Sequence, residues 1–102
     1  MRYVVLDGRD GPHPDERLRN KLAGHLNARL EEYAGEGISA RVEDPSVVSA
    51  SFAGTDGAAA VQRLAQSGVA AEEAGERVRF IIGPTVSFED LDYVQSAAAK
   101  LL

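Results

Sequence analysis

The sequence predicts an α+β fold, a small two-layer sandwich in the order β-α-β-β-α-β-β-α, with an antiparallel or mixed sheet and helices on one face. Three observations predict it. Apolar positions switch along the chain between strict alternation and a four-residue repeat, so short strands and helices are interleaved. Turn formers at Asp44-Pro45-Ser46 and in Glu72-Glu73-Ala74-Gly75-Glu76 separate extended runs closely enough for hairpins. With 102 residues and 44% hydrophobic side chains, the chain is read as one domain over residues 1–102, able to bury a core without disulfides or metals.

Residues 2–6, Arg-Tyr-Val-Val-Leu, are β-branched and aromatic enough for a first strand, and Asp7-Gly8-Arg9-Asp10-Gly11-Pro12 breaks it. A long helix follows, with Pro14 in its first turn and Asp15 and Glu16 near the positive end of its dipole. Leu18, Leu22, Leu26 and Leu30 recur every fourth residue and Tyr33 continues the stripe, which gives the helix one buried face. Gly35 and Gly37 supply its end. Ile38, Ala40 and Val42 then alternate with Ser39, Arg41 and Glu43, a half-buried strand. Val48, Ala50 and Phe52 alternate with Ser49 and Ser51 beyond the turn at 44–46, and the two runs form a hairpin.

Thr55 or Asp56 caps a second helix that buries Ala58, Val61, Leu64 and Ala65, and Gly68 closes it. Val69-Ala70-Ala71 is short and extended, the acidic stretch 72–76 turns the chain, and Arg77–Ile82 is the best strand in the sequence. Its alternation sends Val78, Phe80 and Ile82 to the core, and Arg77, Arg79 and Ile81 to the opposite face. The last helix starts at Ser87, which forms a capping box with Asp90, flanked by a staple of Val86 and Leu91. Leu91, Val94, Ala98 and Leu101 face inward from it.

The formal charge of −5 opposes a polyanion and excludes nucleic acid as the expected partner. The apolar run at the start is too short for a secretory signal and no segment is long enough to cross a bilayer, so no membrane association is expected. The absence of cysteine removes thiolate chemistry and agrees with a reducing, cytoplasmic setting.

Few residues suggest chemistry. His13 and His25 have no partner at metal-ligand spacing and read as structural or surface groups. The loop Asp7–Gly11 lacks the ligand run of a calcium loop and reads as a turn. No Gly-x-Ser-x-Gly is present, Ser49 and Ser51 read as polar strand positions, and Gly54-Thr55-Asp56-Gly57 reads as a helix cap. Arg79 is the informative residue. A guanidinium fixed on a strand suits bidentate capture of a carboxylate. The competing reading is a surface cross-strand pair with Glu72, Glu73 or Glu76.

Three stretches carry a family resemblance. They are the long helix followed by Gly-Ile-Ser-Ala-Arg-Val-Glu-Asp-Pro (37–45) and Val-Val-Ser-Ala-Ser-Phe (47–52), the passage Val61–Val69, and Val78-Arg79-Phe80 followed by Ser87-Phe88-Glu89-Asp90-Leu91-Asp92. From about Pro14 onward the chain resembles the C-terminal small domain of fold-type I, pyridoxal-phosphate-dependent aminotransferases, in particular the class V and cysteine-desulfurase branch. The resemblance implies that Arg79, the arginine of the Val-Arg motif, binds a substrate carboxylate. It implies no cofactor site here, because the family's Schiff-base lysine, phosphate loop and pyridinium-pairing aspartate belong to a large domain that residues 1–102 do not contain. Lys21 and Lys100 are the only lysines, and both lie on expected helices. The strand at 2–6 departs from the family pattern.

Two functions follow as expectations. One is a non-catalytic accessory or protein-binding module whose partner is a large-domain pyridoxal-phosphate protein. The other is a ferredoxin-like module for sensing an amino-acid carboxylate or for self-association.

Overall fold

A computed structural model describes residues 2–43 and 46–102. The order is β1 (Val4–Leu6), α1 (Glu16–Glu31), a 3-10 turn at Ala34–Glu36, β2 (Ile38–Glu43), β3 (Val47–Phe52), α2 (Gly57–Gln66), β4 (Val69–Ala74), β5 (Arg77–Ile81) and α3 (Phe88–Ala99). The strands form one mixed sheet in the order β1-β4-β5-β3-β2. β1 runs parallel to β4, and every other neighbouring pair is antiparallel. Because β3 and β4 are both antiparallel to β5 between them, they are parallel to each other, and α2 is the crossover that joins them.

Register places Val4, Leu6, Val69, Ala71, Val78, Phe80, Val48, Ala50, Phe52 and Ile38 on one face of the sheet. They form a single core with Leu22, Leu26 and Leu30 of α1, Ala60 and Leu64 of α2, and Leu91, Val94 and Ala98 of α3. All three helices therefore cover the same face, and the other face is open. Side chains there, such as Val5, Ala70, Glu72, Arg77, Arg79 and Ile81, are only partly buried.

Each helix begins at a side-chain cap that satisfies a backbone N–H with no partner in its own helix. Asp15 accepts from Leu18, Asp56 from Ala59, and Ser87 with Asp90 completes the expected capping box. Several element ends differ from those expected. Asp15 is the cap rather than a first-turn residue, so Pro14 precedes α1, and β1 covers only Val4–Leu6 of the expected 2–6. The turn residues Asp44 and Pro45 lie outside the described residues.

α2 and β4 differ more from expectation. The buried stripe of α2 is Gly57, Ala60 and Leu64, while Ala58 and Ala65 are exposed and Val61 is intermediate. The helix is rotated because its first residue sits against the β4–β5 turn. A methyl on Gly57 would overlap the carbonyl oxygens of Gly75 and Arg77. β4 extends through Ala74, so Glu72 and Glu73 are strand residues and the turn is reduced to Gly75-Glu76. Cross-strand pairing with β5 overrides their low strand propensity.

α1 and α3 are clamped at their polar rim. Asp92 receives His25 at 2.8 Å and Arg29 Nε at 3.0 Å, and the Gln95 amide donates to the Arg29 carbonyl at 2.9 Å. The hydrogen bond from His25, reinforced by the Arg29 charge, holds the Asp92 carboxyl below its ordinary 3.8. No helix among the described residues is long and apolar enough to cross a membrane.

Two outcomes test this packing. Gly57→Ala should lower unfolding free energy in urea by about 2 kcal/mol or more, because backbone must move to admit the methyl. Asp92→Asn should melt lower than the parent at pH 7. A depressed carboxylate contributes stability above its unfolded value and loses it as pH falls through its folded value. The gap between the two melting curves should therefore close as pH is lowered below 3.8.

Candidate functional site

β5 carries the candidate site because it lies in the middle of the open face. Its alternation is as expected: Val78, Phe80 and Ile82 are fully buried, and Arg77, Arg79 and Ile81 lie on the other side. Register sets Arg79 between Glu72 of β4 and Ser49 of β3, and Arg77 beside Ala74. On the outer strand β2, Arg41 lies across from Ser49 and Glu43 across from Val47. Three guanidiniums and two carboxylates thus share one surface with serines beneath them.

Arg79 is 37% exposed and meets two carboxylates, Glu72 through Nη1 at 3.2 Å and Glu43 through Nε at 3.4 Å. Neither contact is an aligned hydrogen bond, since Arg79 Nε and Glu72 Oε2 have no such partner. These are ion pairs held by proximity and partly screened by water. Glu72 was one of the three carboxylates expected from the sequence. Glu43 was not, because its approach depends on β3 separating β5 from β2 and on the length of two side chains.

Arg77 is held differently. Its Nε donates to Ser49 Oγ at 3.0 Å, and Nη2 donates to the carbonyl oxygens of Ser49 at 3.0 Å and Ser39 at 3.1 Å. Three of its five N–H donors are thereby spent on neutral acceptors. Among the described residues no carboxylate lies within ion-pair distance of it. Burial, with the neighbouring Arg41 charge, pulls its pKa below the ordinary arginine value. Sequence reasoning placed Arg77 on the right face but not in this lock. The lock depends on Ser49 being wholly buried on this face, which the alternation of β3 does not announce.

The histidines take the structural places expected of them. His13 Nδ1 accepts the Asp15 N–H at 3.0 Å at the entry to α1, and His25 joins the Asp92 clamp and makes a T-shaped contact with Phe88. Both lie away from Arg79. The Asp7 loop is a turn in which the Arg9 guanidinium grips Asp7 at 2.6 Å.

No protein-family model matches the chain, and no curated protein matches it in sequence. Solved structures do match. A six-fold mutant of a thermostable omega transaminase from Pseudomonas jessenii superposes with a TM-score of 0.67 at 13% identity, over 81% of this chain and 21% of that one. A point mutant of Rv3290c from M. tuberculosis superposes with a TM-score of 0.67 at 25% identity, over 82% of this chain and 21% of that one. The chain thus has a small α+β fold of the transaminase small-domain kind, and it spans about a fifth of the proteins it matches.

That likeness raises pyridoxal phosphate, whose chemistry requires a lysine amine. Within this chain the residues do not fit the group. Lys21 lies on α1 and Lys100 caps α3, both in the helical layer on the opposite side of the sheet from Arg79. The open face offers guanidiniums, carboxylates and serines but no lysine.

The two central arginines should respond differently to truncation. Arg77→Ala leaves the buried Ser49 hydroxyl without its guanidinium donor, while the Ser39 and Ser49 carbonyls keep their ladder bonds, and should cost about 1–2 kcal/mol in urea unfolding. Arg79→Ala should cost under about 1 kcal/mol, as expected for half-exposed ion pairs.

Proposed function

We propose that the chain is a non-catalytic, aminotransferase-like small-domain module that presents the open face around Arg79 to a pyridoxal-phosphate protein on another chain. The observation that supports it most is the unequal coverage: four-fifths of this chain corresponds to one-fifth of a transaminase. The remaining four-fifths of such a protein would hold the cofactor, and no lysine on the open face substitutes for it. The Val78-Arg79-Phe80 motif aligns the reading with the class V branch, where the matching arginine meets a substrate carboxylate.

Arg79 suits that task energetically. It is not bare, because Glu43 and Glu72 already neutralise it, and an incoming carboxylate exchanges for one of them. Half-exposed pairs of this kind contribute little, so the exchange costs little. Arg77 supports the surface without competing for the ligand, since its donors are largely committed to β2 and β3.

The half-exposure of Arg79 also favours a second reading, in which a free amino acid binds the isolated chain through its carboxylate. One pair of measurements separates the two. On the first reading, the tagged chain recovers a pyridoxal-phosphate protein from its native source, Arg79→Ala recovers less of it, and amino acids do not shift melting of the pure chain. On the second, the pure chain is stabilised by an amino acid and Arg79→Ala abolishes the shift. A pure chain that transaminates with pyridoxal phosphate would overturn both.

A further inference from the structure

β2 ends the sheet and pairs only with β3. The Ala53 N–H donates to the Gly37 carbonyl at 2.8 Å, which fixes the parity of that pairing. Ser39, Arg41 and Glu43 turn their backbone groups toward β3, while Ile38, Ala40 and Val42 turn theirs outward. The Ile38 N–H is used by the Tyr33 carbonyl at 3.2 Å. Ala40 and Val42 have no backbone partner on the outer side among the described residues. Edges of this kind are templates for another strand unless charge, proline or a bulge blocks them. The charges available here, Arg41 and Glu43, are of opposite sign and two residues apart on the open face.

The helical side of the same edge carries an independent sign. Val42 is 49% exposed, although Val48 directly across from it is fully buried. It borders a cleft of about 360 Å³ whose far wall includes Ala23 and Gly24 of α1. Gly24 lies in the helix interior, where glycine weakens a helix relative to alanine. Its backbone needs no left-handed angle, and a methyl added there would meet nothing within 4 Å. Nothing within the chain calls for glycine at this position, which is what close approach by another surface calls for.

We propose that two copies of this chain pair antiparallel through β2, about a two-fold axis at Val42, and join their five-stranded sheets into one of ten strands. In this register the N–H and C=O of Val42 exchange hydrogen bonds with those of Val42 in the second copy. Arg41 then faces Glu43 of the second copy, and Glu43 faces its Arg41, in the close non-hydrogen-bonded pairing. Sliding the axis by one residue would set the two Arg41 side chains against each other. The two Val42 side chains meet on the helical side, where Gly24 leaves room. Glu43 already lies 3.8 Å from its own Arg41 and 3.4 Å from Arg79, so its carboxylate is on the surface the pairing needs. The ladder is short, and the dimer is correspondingly weak and concentration-dependent. This edge is separate from the middle of the open face, and the proposal does not rest on the reading of Arg79.

Sedimentation equilibrium on the whole chain at low salt, from about 10 µM to about 1 mM, tests it. The average mass should climb from 10.9 kDa toward twice that value. Arg41→Glu and Glu43→Arg each place like charges across the axis, so each alone should remain monomeric. An equal mixture of the two restores opposite charges at both positions and should dimerise again. Val42→Pro removes an N–H that no bond within the sheet uses, and should abolish pairing while circular dichroism stays native. Should that variant not fold, the charge-swap mixture decides alone. A parent that stays at 10.9 kDa throughout, or a mixture that fails to restore pairing, overturns the proposal.

Discussion

The rest of the molecule depends on the two-sidedness of β5. Both of its neighbours are antiparallel, β4 joined by a tight turn and β3 supplied from across the α2 crossover. Val78 and Phe80 on one side and Arg77 and Arg79 on the other cannot be exchanged, because a one-residue slip would bury two guanidiniums and expose two apolar side chains. That asymmetry sets the register of β3 and β4, and through β3 that of β2. It also explains why one layer of helices suffices: only one face of the sheet demands cover, and α1, α2 and α3 all supply it.

The two arginines show how neighbours rather than residue type decide what a charge does. Arg77 and Arg79 are on one strand, on one face, two residues apart. Arg77 reaches over β3, where Ser49 and Ser39 offer oxygens without charge, and it becomes part of the sheet. Arg79 lies at the height of Glu72 and Glu43, which offer charge without aligned hydrogen bonds, and it stays exchangeable. The first satisfies hydrogen bonding and leaves a net charge; the second does the reverse. A carboxylate is exchanged for another carboxylate more easily than three aligned bonds to neutral acceptors are broken.

Much of this was legible in the sequence where a pattern is local. The order of elements, the leucine stripe of α1, the Ser87–Asp90 box and the inward set on β5 all follow from spacing within one element. What failed required knowing which elements touch. The rotation of α2 comes from Gly57 meeting a turn some twenty residues away, and the extension of β4 through two glutamates comes from its ladder with β5. Glu43 at Arg79 and the Ser49 lock on Arg77 likewise depend on strand order, which alternation alone does not encode. Val42 misled for a related reason. It has the period of a buried residue, yet it lies on the last strand of the sheet, where α1 does not reach over it.

That last position connects the open face to the edge. A sheet covered on one side must keep its bare side soluble, and here it does so by neutralising Arg79 with Glu43 and Glu72 instead of leaving the three charges apart. Glu43 is the outermost member of that row and also the residue that faces the edge. Its carboxylate is shared between Arg79 and Arg41, so any displacement of Glu43 toward the outer edge weakens its hold on Arg79. Glu43 is thus the one carboxylate that the central row and the outer strand have in common.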